Sequence, residues 1–434
     1  MNSLSDLIHS HLRVSLYANS YYLMANTAAN SLLGFVFWLV AARFFASAEV
    51  GIASALVSAT ILLAWLSSLG LGAGLIRHLP DAGEFSRLML DSVLSFTALS
   101  ALLFAVVFLV GLPNWAPSLN FVYQSPILLF GFLLLVLVSA LGGMINHVFI
   151  SHRTASYTLI RSLIMGGSRI LLLVIFALSF RSYGISSIFV AVGVAMAVSW
   201  IFASFKYLPR LHPAYLPRPR LSGGILAKLI PYSLINYTAS FMTQAPLMIL
   251  PIIILYRLGP EQNAYSYVVW MVANALFMIS GAISISTFAE GSNQEELLRE
   301  NVRRALILTM ILSIPIILLF LLAGKWILLL FGEQYSESGL TLLMILAVSA
   351  LPVGLNNIYL AKIKVTKELS IILVLSIFTI ASFLSLSYLF IPLQGIAGAG
   401  LAWLISQTAV SGMIFLLLWR RGHLGSLILW REIG

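Results

Sequence analysis

Twelve apolar stretches, each about 20 residues or longer, follow one another along the chain, and they leave it few ways to fold. They cover residues 20–42, 50–75, 88–111, 126–150, 158–180, 184–206, 229–256, 263–289, 304–328, 339–361, 369–391 and 395–419. Backbone crossing hydrocarbon must satisfy its own N–H and C=O groups, so each run is predicted to be helical. The apolar–polar alternation of a lipid-facing barrel strand is absent. Only 9% of the 434 residues are charged, against about 25% in a soluble domain. The mean hydropathy is +1.02. The reading is an all-α polytopic membrane protein with twelve transmembrane helices.

A formal net charge of +10 would point a soluble protein toward nucleic acid. Here the placement of the charge matters more than its sum. With the N-terminus in the cytoplasm, 19 of the 24 Lys and Arg fall in inner segments. Four (Arg43, Arg181, Arg257 and Lys325) fall in outer ones, and Arg169 lies within a span. Basic residues concentrate on the cytoplasmic side of membrane proteins. We therefore expect a multi-pass protein of the cytoplasmic membrane, with both termini inside, acting as a monomer and with no nucleic-acid partner. The apolar run before Ala46-Ser47-Ala48 is too long for a cleaved leader, so an uncleaved first helix is expected.

Enzymatic signatures are missing. The chain has no cysteine, no G-x-x-x-x-G-K-[ST], no H-E-x-x-H and no G-x-S-x-G. No catalytic residue, metal site or cofactor is expected. The glycine-rich GLGAG at 70–74 falls inside the second run, where close helix packing is its expected role.

The chain also repeats itself. VSALGGMINHVFISHR (138–153) and VSALPVGLNNIYLAKI (348–363) align without a gap at an offset of 210, and each carries a polar pair within apolar sequence. FFASAEVGIAS (44–54) and YRLGPEQNAYS (256–266) align more faintly through Glu49 and Glu261. Each pair is separated by six helices. Six is even, so both copies point the same way, as in parallel repeats around a substrate site. Between the repeats lies KYLPRLHPAYLPRPRLSGG (206–224), whose four prolines and Gly pair mark a connector. We divide the chain into a six-helix lobe (1–208), a cytoplasmic Pro/basic linker (209–228), and a second six-helix lobe with a short cytoplasmic tail (229–434). The linker's basic residues are expected to rest against anionic lipid of the inner leaflet.

Charges inside spans are costly and tend to face a cavity or a partner. Arg169 lies midway along the fifth run, in MGGSRILLLV. Arg161, eight residues earlier, sits about 80° around the helix, so both can face one side. Arg43 ends the first helix and Arg77 follows the second. These four are the candidates for holding an anionic head group, phosphate being the group that Arg matches with two parallel hydrogen bonds. Asp91, early in the third run, is expected to pair with Arg87 or with Arg161, or to take part in ion coupling. Asn146, His147, Asn356 and Asn357 either bond neighbouring helices or line a polar interior, and His147 is a candidate proton carrier. Asn26, Asn30, Asn236, Gln244, Asn274 and Gln407 are weaker polar candidates. Pro246 and Pro251, five residues apart, should bend the seventh helix and could form a gate.

FWLVAARFFASAEVGIASALVSA (37–59) followed by SSLGLGAGLIRHLPD (67–81) resembles the polysaccharide-biosynthesis flippases. These are the O-antigen-type transporters of the multidrug, oligosaccharidyl-lipid and polysaccharide exporter superfamily. The resemblance implies two six-helix bundles around a central cavity. It also implies a cationic lumen for a polyprenyl-(pyro)phosphate-linked glycan, moved from the inner to the outer leaflet and coupled to H+ or Na+. Arg43 and Arg77 fall where that family places basic residues. The multidrug-efflux branch, a proton- or sodium-coupled small-molecule exporter, is the alternative. Its acid in the first helix is replaced here by Asn26 and Asn30.

Overall fold

In the computed structural model, residues 15–179, 184–213, 215–293, 297–366 and 368–420 are described. Twelve long helices run through them: α1 (Ser15–Phe44), α2 (Ser47–Ser68), α3 (Ser86–Trp115), α4 (Pro126–Ser151), α5 (Ala155–Ser179), α6 (Ile185–Phe202), α7 (Gly223–Leu258), α8 (Pro260–Asn293), α9 (Leu298–Leu329), α10 (Glu333–Val365), α11 (Leu369–Gln394) and α12 (Ile396–Arg420). Eleven are long and apolar enough to cross a membrane. In α7 the apolar stretch Gln244–Leu258 is shorter, but the helix as a whole continues for 36 residues. The twelve-helix expectation stands. The chain ends, with the expected cytoplasmic tail, lie outside the described residues.

The helices divide into two compact units, Met1–Phe241 and Met242–Gly434. The border falls inside α7, beyond the linker at 209–228. The reason lies in two sets of contacts that tie the described part of the connector and the first half of α7 to the first unit. The connector is bonded along α3. The first half of α7 is seated on the end of α2: a Cβ on Gly70 would overlap the Ser233 carbonyl and Tyr237, and one on Gly74 would overlap Ser233 Oγ.

That seat also breaks the second apolar run. α2 ends at Ser68, Leu69 and Gly70 turn with φ of 40° and 74°, and a two-turn helix resumes at Leu71–His78. Glycine at 70 supplies both the left-handed backbone and the close approach. GLGAG is thus a packing surface, as expected, although it begins at a helix break.

Each unit is organised around its fourth helix. In the first, α4 packs against α2, α3, α5 and α6. In the second, α10 packs against α8, α9, α11 and α12. The pairings α2–α3 and α5–α6 recur as α8–α9 and α11–α12. The sequence repeat at 138–153 and 348–363 therefore lies on the central helix of each unit. The Glu49/Glu261 echo has a local role. Both residues stand in the first turn of the unit's second long helix, where a carboxylate faces the positive end of the helix dipole, and Glu49 accepts from Ala46 N at 3.0 Å.

Lipid tails are as apolar as leucine, so close packing of small residues, rather than flight from water, joins such helices. The buried face of α2 follows this rule: Gly51, Ala53, Ser54, Ala55, Ser58 and Ala59 occupy it. Its Ser54 and Thr60 hydroxyls return to backbone carbonyls of their own helix, each at 2.9 Å. Other large side chains, among them Val110, Ile127 and Leu322, point outward.

Candidate functional site

The first unit holds a polar seam where α5 meets α1 and α4. Asn26 and Asn30 lie one turn apart on α1. Asn30 Nδ2 donates to the Asn26 carbonyl at 2.9 Å and to Ser162 Oγ on α5 at 3.1 Å. One residue away on α5, Arg161 is 7% exposed and donates from Nη1 to Asn146 Oδ1 at 3.0 Å. Its guanidinium rests directly on Gly142, where a Cβ would overlap Nη2. Its buried Nε has no acceptor among the described residues. Farther along α5, Arg169 is half-buried, with its guanidinium carbon 5.0 Å from the centre of the Phe37 ring and Nη2 beside Gly34.

The expected pair is thus brought into one seam, but the two arginines face different neighbours. Arg161 turns to α4 and Arg169 to α1, as the 80° between them allows. Arg43 occupies the exposed last turn of α1. Arg77 is also exposed and lies over the Tyr232 ring at 4.4 Å, outside the seam.

Asp91 meets neither Arg87 nor Arg161. Its Oδ1 accepts from Tyr215 Oη at 2.7 Å and from the Arg218 backbone N–H at 3.0 Å, both in the connector. Arg87 donates to the Pro213 carbonyl at 2.9 Å. Burial, reinforced by the hydrogen bond to Asp91, pushes the Tyr215 phenol well above its ordinary pKa, so it remains a donor. Beside it, burial and the nearby His152 and Arg87 charges hold His212 down at about 4, so its ring is neutral at pH 7. Sequence had no means of finding this partner, because 124 residues separate Asp91 from Tyr215.

The two polar pairs of the repeat serve different ends. Asn146 holds Arg161. His147 packs flat against Gly72, where a Cβ would overlap its ring, and lines a cavity of about 310 Å³ with Trp65, Ser68, Met144 and Tyr237. His147 Nδ1 and Tyr237 Oη are buried there without partners among the described residues. Tyr237 was not singled out in the sequence, although its neighbour Asn236 was. The Asn236 side chain lies outside the described residues.

In the second unit, Asn356 Nδ2 donates to Gln407 Oε1 at 2.8 Å and to its carbonyl at 3.0 Å, while Ser411 donates back to Asn356 Oδ1 at 2.8 Å. Asn357 Nδ2 donates to Ser280 Oγ at 3.0 Å. These two residues tie α10 to α12 and α8. Gln244, Asn274 and Pro251 line a separate cavity of about 350 Å³, together with Asn263 and Trp270. Asn263 is wholly buried and was not singled out in the sequence. Pro246 and Pro251 are both buried, and α7 stays continuous through them.

Eleven helices long and apolar enough to cross a membrane, in two units of like internal packing, define a multi-pass membrane protein. Solved structures carry the same fold. A lipid II flippase, MurJ, in an inward closed conformation matches at 13% identity and a TM-score of 0.72, covering 93% of this chain and 87% of that one. An inward-facing multidrug resistance MATE family transporter of the MOP superfamily matches at 18% identity and a TM-score of 0.67, covering 92% and 95%. A MOP superfamily transporter from Pyrococcus furiosus matches at 15% identity and a TM-score of 0.54, covering 95% and 96%. No curated protein matches in sequence. The family model of the polysaccharide biosynthesis proteins matches residues 40–340, and the chain belongs to that family.

Proposed function

We propose that this protein is a flippase that carries a lipid-linked oligosaccharide or polysaccharide precursor across the cytoplasmic membrane by alternating access. The observation that carries the reading is the α5 seam, in which Arg161 and Arg169 lie within a membrane span of a polysaccharide biosynthesis family member. A guanidinium held in a span is matched by a phosphate or diphosphate of a polyprenyl-linked glycan. The prenyl tail stays in lipid while the head group passes through a polar path. Dragging bare sugar through hydrocarbon would cost several kcal/mol for each unsatisfied hydroxyl. Coupling to H+ or Na+ supplies direction, and His147, in its polar cavity, is the candidate for a proton. Pro246 and Pro251 are the candidate gate in α7.

The alternative, an ion-coupled small-molecule exporter, needs an acid available to a cation. Asp91, its candidate, is engaged by Tyr215 and Arg218, which supports the flippase reading. The test is export in cells that depend on this protein for a surface glycan. Arg169→Ala should accumulate lipid-linked precursor on the inner leaflet, with the protein present in the membrane at its usual level. Normal export would remove Arg169 from the proposal. Drug resistance that is lost in Asp91→Asn would favour the exporter.

A further inference from the structure

A groove on the first unit, apart from the α5 seam, has the chemistry of a lipid site. It holds about 410 Å³ and opens between α3, α4, the end of α6 and the connector. Leu94, Ala98, Leu141, Ile145 and Leu208 form apolar walls. Leu99, 56% exposed, stands at its lipid-facing edge. On α3 the lining runs from Leu94 to Leu99, about 7.5 Å along the helix.

Its mouth is different. The connector segment Pro217–Leu221 crosses it, placing Arg218 and Arg220 there with both side chains exposed. The segment is fixed by its backbone: Arg218 N–H donates to Asp91, its carbonyl accepts from Ser95 Oγ at 3.4 Å, and Arg220 N–H donates to Ser95 Oγ at 3.0 Å. The guanidiniums are thus presented on a rigid strap, and neither forms an ion pair among the described residues.

Between mouth and walls lie two further polar groups. Trp200 Nε1 and Ser204 Oγ both belong to residues lining the groove, and both are buried without a hydrogen-bond partner among the described residues. Ser204 is 4% exposed and sits in a π-helical turn, Ala203–Tyr207, a distortion often found at functional sites. A buried donor without an acceptor is costly, so such groups call for a ligand.

We propose that this groove binds an anionic phospholipid of the inner leaflet. The phosphate sits on Arg218 and Arg220, an ester carbonyl accepts from Trp200 Nε1 or Ser204 Oγ, and one acyl chain lies along the apolar walls. Surface basicity alone would attract lipid anywhere, whereas this arrangement sets cations, neutral donors and an apolar slot in the order of a phospholipid's own parts. The site is distinct from the arginines proposed for substrate and does not depend on that proposal.

The test uses the full-length protein in nanodiscs of phosphatidylcholine containing a minor fraction of phosphatidylglycerol, with retained lipid counted by native mass spectrometry after release into detergent. The wild type should retain phosphatidylglycerol preferentially. Arg218→Ala with Arg220→Ala should weaken that preference roughly 30-fold, each arginine contributing about fivefold as a basic group at an anionic surface. The control, Lys206→Ala with Arg210→Ala, removes two cations from the same end of the unit that stack on Phe202 and Tyr207 outside the groove. It should change the preference little. Ala98→Trp fills the slot while keeping both arginines, and should also release the lipid. An equal loss in the control, or undiminished retention in Ala98→Trp, would overturn the site. So would a prenyl phosphate, in place of the phospholipid, as the molecule released by both groove variants.

Discussion

Two adjacent glycines on α4 show how much a single hydrogen can decide. A Cβ on Gly142 would overlap the guanidinium of Arg161, whereas a Cβ on Gly143 meets nothing within 4 Å. Alanine normally gains about 0.5–1 kcal/mol over glycine in a helix. Gly143→Ala is therefore expected to leave the protein unchanged or slightly more stable in a thermal melt. Gly142→Ala should lose about 1–3 kcal/mol, because overpacking must push a buried arginine off Asn146. The same variant should reduce glycan export if Arg161 serves the substrate. The aligned residue in the second unit is Pro352, and the guanidinium contact has no counterpart there. The repeat copies a position on the central helix but not its partner. For that reason the Asn146–Arg161 bond was not legible in the sequence, although the alignment already placed Asn146 opposite Asn356.

At the scale of elements, the connector is the least expected part. Proline and glycine announced a non-helical linker, yet residues 215–222 form a fastened strap along α3, held by Asp91, Ser92 and Ser95. Proline content can be read locally, but anchoring by Asp91 cannot, because it depends on a fold that brings α3 beneath the chain 124 residues later. The strap has a pH dependence of known sign. His212, against His152, Tyr215 and the Arg87 side chain, has a pKa lowered to about 4. The same ring in an opened strap titrates near 6.5. Below pH 6.5 the opened form binds more protons, so closure weakens as pH falls from 6.5 toward 4 and is unaffected above it. Hydrogen-exchange protection of residues 215–222, corrected for the intrinsic effect of pH, should decrease between pH 7 and pH 5. His212→Phe should flatten that profile.

At the scale of the whole molecule, the twelve helices were legible because lipid forbids the alternatives: an unpaired backbone group has no water to turn to. The break at Leu69–Gly70 was not legible, since it answers to Ser233 and Tyr237 on a distant helix. Orientation can be checked simply, because the chain has no cysteine of its own. A single cysteine at Leu216 should react with an impermeant thiol reagent only from the inside, and one at Gln124 only from the outside. The reverse result would invert the basic-residue argument.

The strap has a consequence for how the protein is made. Every residue that completes the first unit, including the clasp from Asp91 to Tyr215 and the half of α7 seated on Gly70 and Gly74, is encoded before position 242. Chains emerge from the ribosome N-terminus first, and their domains tend to fold as units in that order. The first lobe can therefore close its own clasp while the second is still being translated. A nascent chain stalled after α7 should already show the protected connector, and Asp91→Asn should delay that protection without touching any helix of the second lobe.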